Sequence, residues 1–438
     1  MSLNSQDGET SSSTQRCLFY IVRKCQLSWI FLGMCSKSSS IKSPRMGAAC
    51  HNYSQKVKRI TVQDASRAAD FIAEITARPE HLPRPQCQSL QVFGILTHGS
   101  RDDPRAQRHR FMLPTKPKKP ITSDILKSLI DLFPDTIVEL SPHFWNVLSL
   151  PKKVLETIGR LENLRALRLG HELQERAQAP RERDPMLFPF YHDSDDEEFH
   201  EEIRQHNQLD SKIDHDCLKS LIKATRKLTS LNLTDLNPVC LATKPMKLEL
   251  ACHQFLAITQ LEISLEGESA FRLLDLSIIL KRTLKVPALH DHWGGWVDTH
   301  GAKLVPVFEN LRENLEGLFI TNKSFLSPII KFKFPKLQVF KTVFWKGSIA
   351  EFLQNPILSS SPIEVLALQS EFIDTPKEQK FRVNPFANLP LLRRLILYEA
   401  NPTYVLPPAY LHACKSQGAE PIYIGHLDSS NVSLFMSL

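Results

Sequence analysis

His290, His292, Asp298 and His300 stand within HDHWGGWVDTH (residues 290–300), the stretch of the sequence that reads as its candidate metal site. Imidazole combined with carboxylate is a donor set that suits zinc or iron. The spacing argues the other way. No H-E-x-x-H pair places two imidazoles on one helical face, and Gly294-Gly295 marks a turn. A polar loop anchored by Trp293 and Trp296 is therefore expected. Its four candidate ligands should not converge on one centre at the ~2.0–2.2 Å of a zinc bond. The sequence also has no G-x-S-x-G, no GxGxxG and no G-x-x-x-x-G-K-[ST]. A nucleophile elbow, a dinucleotide fingerprint and a phosphate-cradling loop are thus absent. Neither catalysis nor a cofactor is expected.

The net charge of +7 looks like a nucleic-acid signal until it is located. Residues 1–60 hold nine Lys and Arg against Asp7 and Glu9, and the other 378 residues carry 45 charges of each sign. The body is neutral, and the basic stretch between Arg101 and Lys119 holds only Phe111 and no interleaved series of aromatics for bases to stack on, so no nucleic-acid partner is expected. Nine cysteines without a C-x-x-C or a zinc-like spacing read as reduced, mostly buried thiols. That places the chain in the cytoplasm or nucleus. Four N-x-S/T sequons, at Asn52, Asn232, Asn322 and Asn431, and a short apolar run from Leu27 to Met34 leave secretion as the alternative. Arg23 and Lys24 interrupt residues 17–35, so no membrane span is expected there.

With catalytic motifs set aside, the remaining signal is periodic. The pattern apolar, two residues, apolar, one residue, apolar recurs as Val57/Ile60/Val62, Leu90/Phe93/Ile95, Leu164/Leu167/Leu169, Leu228/Leu231/Leu233 and Ile258/Leu261/Ile263. It continues as Leu315/Leu318/Ile320, Leu337/Phe340/Thr342, Ile363/Leu366/Leu368 and Leu392/Leu395/Leu397. From Leu318 the middle residues run to Phe340, Leu366 and Leu395 at intervals of 22, 26 and 29, and Leu231 to Leu261 is 30. The gaps of 64 (Leu167 to Leu231) and 57 (Leu261 to Leu318) are near two periods and hold either a degenerate repeat or an insertion. L-x-x-L-x-L at this period is the mark of leucine-rich repeats.

Helical faces precede most of these strands. Asp64 caps a helix with Ala68, Phe71, Ile72 and Ile75 on one side, and others begin near Ser123, Val154, Leu218, Phe271 and Leu304. The last runs from Ala409 to Gln417 and ends at Gly418. Neither element buries its apolar face alone, but stacked helix–strand units bury both. The expected fold is an irregular α/β solenoid over residues 56–425, with a curved parallel sheet, helices on the convex side and strands near 57–63, 90–96, 164–170, 228–234, 258–264, 315–321, 337–343, 363–369 and 392–398. Residues 1–55 form a leader lying off the body, and 426–438 a C-terminal tail. Two insertions, 98–120 (basic, with prolines) and 171–210 (with the acidic run Asp193 to Glu202), are expected as solvated loops.

The stretches LENLRALRL (161–169), RKLTSLNL (226–233), AITQLEI (257–263) and LPLLRRLIL (389–397) resemble the leucine-rich-repeat portion of fungal F-box-like proteins. That resemblance implies the substrate-recognition part of a ubiquitin ligase adaptor, with a Skp-type adaptor as partner if an F-box is present. SLPKKVLETI (149–158) looks like an F-box opening but runs straight into a repeat, and no other stretch completes an F-box. A stand-alone repeat protein without ligase links is the other reading. A metal-dependent enzyme using residues 290–300 is a distant third.

In either leading reading the chain is a monomer that holds a protein partner on its concave face. Because the patterned residues point into the core, their neighbours point to the concave side. This assigns Arg168, Asn232, Gln260, Glu262, Phe319, Lys341, Gln369, Arg394 and Tyr398 to the partner surface. Phe319, Arg394 and Tyr398 are expected to be exposed anchors there, replaceable by Ala with little effect on the melt.

Overall fold

The computed structural model describes residues 56–79, 81, 85–96, 119–145, 148–171, 215–236, 257–265, 270–291, 298–342, 352–373, 384–425 and 431–438. All of these lie in the unit Gln55–Leu438. The leader and most of both insertions fall outside the described residues.

The first elements are β1 (Lys56–Val62), α1 (Ala65–Thr76), β2 (Gln86–Ile95), α2 (Ser123–Asp131), β3 (Glu139–Phe144), α3 (Lys152–Gly159) and β4 (Ala166–His171). Next come α4 (His215–Ala224), β5 (Ser230–Asp235), β6 (Gln260–Leu265), α5 (Ala270–Ile279), β7 (Val286–Asp291), α6 (Val305–Leu311) and β8 (Gly317–Ile320). The chain closes with the one-turn α7 (Lys323–Leu326), β9 (Val339–Thr342), the one-turn α8 (Pro356–Ser359), β10 (Val365–Gln369), β11 (Arg394–Tyr398), α9 (Pro408–Gln417), β12 (Glu420–Ile424) and α10 (Val432–Ser437). The twelve strands form one sheet in chain order, and every pairing is parallel. The architecture is the α/β solenoid that the periodicity predicts.

A backbone device repeats with each unit. The carbonyl of Val138 accepts from the N–H groups of Arg165 and Ala166 at 2.8 and 3.0 Å, and that of Arg165 accepts in turn from Thr229 and Ser230 at 2.8 and 2.9 Å. Thr229, Thr259, Lys285, Glu316, Gln338 and Glu364 continue the series, each taking two N–H groups from the next unit. Asn163 and Asn314 add a side-chain amide to a carbonyl of the preceding unit at 2.7 and 2.8 Å. These turns explain why the strands expected from 164 onward start two residues late, whereas β1 starts one residue early and β2 four, with Leu90 rather than Phe93 paired to Ile60. The first apolar residue of each pattern (Leu164, Leu228, Ile258, Leu315, Leu337, Ile363, Leu392) is buried beneath the turn, ahead of its strand.

The core lies between the sheet and the helical layer. Leu140, Leu167, Leu231, Leu261, Leu318, Phe340, Leu366 and Leu395 share one register row and are at most 1% exposed, each worth roughly 2–3 kcal/mol of apolar burial. Asp64 caps α1 by accepting from the N–H groups of Ser66 and Arg67 at 2.8 and 3.1 Å. Gly418 ends α9 in the left-handed region at φ 73°, where its missing Cβ removes the strain.

Three strands were not anticipated: β3, β7 and β12. Pro287 and Pro421 stand where other units carry the middle Leu, paired with Leu261 and Leu395, and Pro142 replaces the third apolar residue. The two long gaps resolve differently. β7 is the degenerate repeat between Leu261 and Leu318, whereas β4 pairs directly with β5, so the other gap is an insertion. Among the described residues no helix is long and apolar enough to cross a membrane.

Candidate partner-binding face

Alternation along each strand turns every second side chain away from the helices. The register aligns Arg168, Asn232, Glu262, Ala288, Phe319, Lys341, Ala367 and Ile396 in one continuous row on that face. Gln260 and Arg394 belong to the row on one side of it, and Gln369 and Tyr398 to the row on the other. All nine residues assigned from sequence thus occupy three adjacent rows. Their surroundings divide in two.

Over β4 to β6 the face is polar and half-exposed. Arg168 Nε donates to Asp235 Oδ2 at 2.6 Å, with its terminal nitrogen at 2.5 Å, in a pair that is 41% and 12% exposed. Asn232 Nδ2 donates to Glu262 Oε2 at 3.0 Å, and Gln260 Nε2 donates to Glu262 Oε1 at 2.7 Å. The Asn232 carbonyl oxygen accepts from the Thr234 N–H and hydroxyl at 3.0 and 2.7 Å. Burial raises the Glu262 pKa, opposed by the Gln260 hydrogen bond and the Arg168 charge. These groups hold one another in place, so a ligand would meet them already ordered.

Over β7 to β12 the face is apolar and covered. Val286, Ala288, Phe319, Val339, Val365, Ala367, Ile396, Tyr398 and Ile424 form a second cluster with Val432 and Phe435 of α10. The expectation of exposure fails for three of the nine residues: Phe319 is 3% exposed, Lys341 6% and Tyr398 1%. The cause is the C-terminal tail, whose α10 lies over them. The Tyr398 hydroxyl donates to the Thr342 carbonyl at 2.7 Å, and the Lys341 ammonium sits 4.4 Å from the Tyr398 ring centroid. Burial pulls the Lys341 pKa down to about 8, opposed by Glu399 and Glu262. Gln369 Nε2 donates to Glu399 Oε2 at 2.6 Å, and Arg394 is half-exposed.

Beside the polar half, across β3 to β5, lies a group that the sequence did not bring together. Ser141 Oγ and His143 Nε2 are hydrogen-bonded at 3.1 Å, with Asp235 and His171 nearby. The set has the residue types of a Ser–His–Asp triad but not its connections. His143 Nδ1 has no hydrogen-bond partner, and Ser141 is 0% exposed. Phe93 stacks on the imidazole at 4.3 Å, closing the pair off from a substrate. Strand β4 needs Gly170 where it passes between His143 and Asp235, since a Cβ there would stand 2.5 Å from His143 Nδ1 and 2.8 Å from Asp235 Cβ. Gly170→Ala is expected to lower stability by about 1–3 kcal/mol through overpacking. An unchanged urea midpoint would show that His143 and Asp235 yield freely.

Of the four candidate metal ligands, His292 and the side chains of Asp298 and His300 lie outside the described residues. His290 Nε2 is buried without a hydrogen-bond partner, and burial pulls its pKa down to about 4. Among the described residues no three His, Cys, Asp or Glu form a group able to hold a metal ion.

No protein-family model matches the chain, and no curated protein matches it. Among solved structures, a chain from the crystal structure of the Rad7 and Elc1 complex in yeast aligns over 64% of this chain and 67% of its own length, at 19% identity and a TM-score of 0.29. A likeness at that level carries no function across.

Proposed function

We propose that the chain is a non-catalytic protein-binding scaffold that takes a partner polypeptide on the inner face of its sheet. We assign it as the substrate-recognition part of an F-box-type ubiquitin ligase adaptor. The observation that carries the binding role is the half-exposed polar surface of Arg168, Asn232, Gln260 and Glu262, held by mutual hydrogen bonds on a continuous parallel sheet. A ligand meeting such a surface loses little side-chain entropy in ordering it, and solenoids bind along extended faces of this kind. The ligase assignment rests on the repeat stretches that resemble F-box-like proteins. An intracellular setting fits the Asn232 and Asn322 sequons, whose amide nitrogens are already committed to Glu262 and Asp291. It fits also the buried Cys87 and Cys414 thiols, whose pKa values burial raises to about 12 and about 11.

The test compares proteins that co-purify with the tagged full chain and with an Arg168→Ala, Gln260→Ala, Arg394→Ala variant. Specific partners should fall at least ~10-fold in the variant, the scale expected when central interface residues are removed. Losing Arg168 leaves Asp235 unpaired and costs about 1–3 kcal/mol, so an Asp235→Asn change added to the variant should recover the melt without recovering capture. Equal capture by all three proteins would sink the binding role. A Skp-type adaptor among the wild-type partners is expected, and its absence would leave a stand-alone scaffold.

A further inference from the structure

The apolar half of the inner face is shaped around one aromatic side chain. Phe435, 0% exposed, meets the Phe319 ring edge-on at 5.9 Å and 72°, and the Tyr398 ring at 6.3 Å and 87°. The Lys341 ammonium lies 4.7 Å from its centroid, a cation–π contact that closes the socket. Small residues leave room around it. Ala288 and Ala367 share the row with Phe319 and Lys341, and a Cβ on Gly317 would come within 2.7 Å of Met436 Sδ. Val432 joins the cluster one helical turn before Phe435.

The occupant has little stability of its own. α10 has six residues, and its N-cap is Asn431, whose side chain accepts from the Leu434 N–H at 3.2 Å. A helix far shorter than ~12 residues does not persist in water, so α10 is helical only while docked. The polar half of the face adjoins the socket through the Glu262–Ala288 register pair, so one polypeptide can run across both.

We propose that this socket is the anchor site for a partner's short amphipathic helix carrying an aromatic residue and an apolar residue three positions before it. The tail helix α10 is then a tethered stand-in that the partner displaces. The proposal rests on the inner face being the partner surface, and it names the chemistry of the partner. A segment tethered by a few residues competes at an effective concentration on the order of 1 mM. It therefore excludes weak apolar peptides and admits a partner that also engages the polar half.

The probe is a labelled peptide of residues 431–438, titrated by fluorescence anisotropy into the full chain and into a full-chain Val432→Ala, Phe435→Ala variant. The variant should bind the peptide with a Kd on the order of 10–100 μM, at least ~10-fold tighter than the wild type does. The same peptide carrying Phe435→Ala should not bind. Hydrogen exchange on the wild type needs no variant. The Phe435 and Leu438 amides, which donate to Asn431 and Leu434, should be at least ~100-fold less protected than those of β8 to β11. Equal protection, or a variant that unfolds, would make α10 a fixed part of the core and overturn the proposal. Equal peptide binding to both proteins, or none, would overturn it as well, as would a concentration-dependent dimer that exchanges tails. No partner enters these measurements, so they can fail while the co-purification succeeds, and the reverse.

Discussion

Tyr398→Ala should lower the stability of the folded chain by about 2–4 kcal/mol, the cost of losing the docking of α10 together with the hydroxyl's hydrogen bond. Strand alternation alone would place this residue in solvent and give a change within ~0.5 kcal/mol. The larger value is expected because the side chain is 1% exposed and meets Phe435 edge-on. Its hydroxyl is also committed to the Thr342 carbonyl at 2.7 Å. Tyr398→Phe separates these contributions. It keeps the ring contacts and removes only the hydroxyl, so about 1 kcal/mol should be lost as the Thr342 carbonyl goes unsatisfied. Arg394→Ala, at a half-exposed position on the same strand, should leave the urea midpoint nearly unmoved. The three anchors expected from sequence thereby divide into two buried residues, Phe319 and Tyr398, and one surface residue. A Tyr398→Ala midpoint equal to wild type at unchanged m-value would sink the assignment of α10 as a cover.

The sequence carried the fold wherever a unit kept its leucines. Leu167, Leu231, Leu261, Leu318, Leu366 and Leu395 occupy one register row in the structure, as their spacing implied. It failed where proline took a patterned position. Pro287 and Pro421 fill a side chain's place in the row without supplying an N–H or a leucine's signature, so β7 and β12 could be recognised only through their neighbours. For β7 the 57-residue gap was the available signal. The candidate face was legible to the level of which way each residue points, because alternation is local. Exposure is not local. Whether Phe319 meets water depends on Phe435, more than a hundred positions along the chain, and strand periodicity holds no information about that contact. The apolar spacing of Val432 and Phe435 was the one hint in the tail. The His143 group was hidden for the same reason, since Ser141, His171 and Asp235 come from three strands and only the register brings them near.

That group makes the fold sensitive to acid. His143 and His171 are 2% and 3% exposed, and burial pulls both pKa values down to about 4. Asp235 opposes the shift at His143 while Arg168 adds to it, and at His171 the His143 charge adds to it. In the unfolded chain each imidazole titrates near 6.5. Between pH 6.5 and 4 the unfolded state therefore binds more protons than the folded one, and stability falls as the pH is lowered. The contribution is complete above pH 6.5 and fully lost below about 4. Two imidazoles give a slope approaching ~2.7 kcal/mol per pH unit within the window. The loss from these two approaches ~7 kcal/mol, which is comparable with the whole stability of many domains. Glu262 works in the opposite sense, because a carboxyl whose pKa is raised on folding binds its proton more readily in the folded state. Replacing both histidines by Gln should therefore cut the slope between pH 6.5 and 4.5 to about a third, the remainder coming from His290, whose pKa burial also pulls down to about 4. Urea midpoints at pH 7, 6, 5 and 4.5 for the two proteins decide the matter. A flat wild-type profile would show that the imidazoles titrate normally, and an equal slope in the His143→Gln, His171→Gln protein would assign the acid lability to other groups.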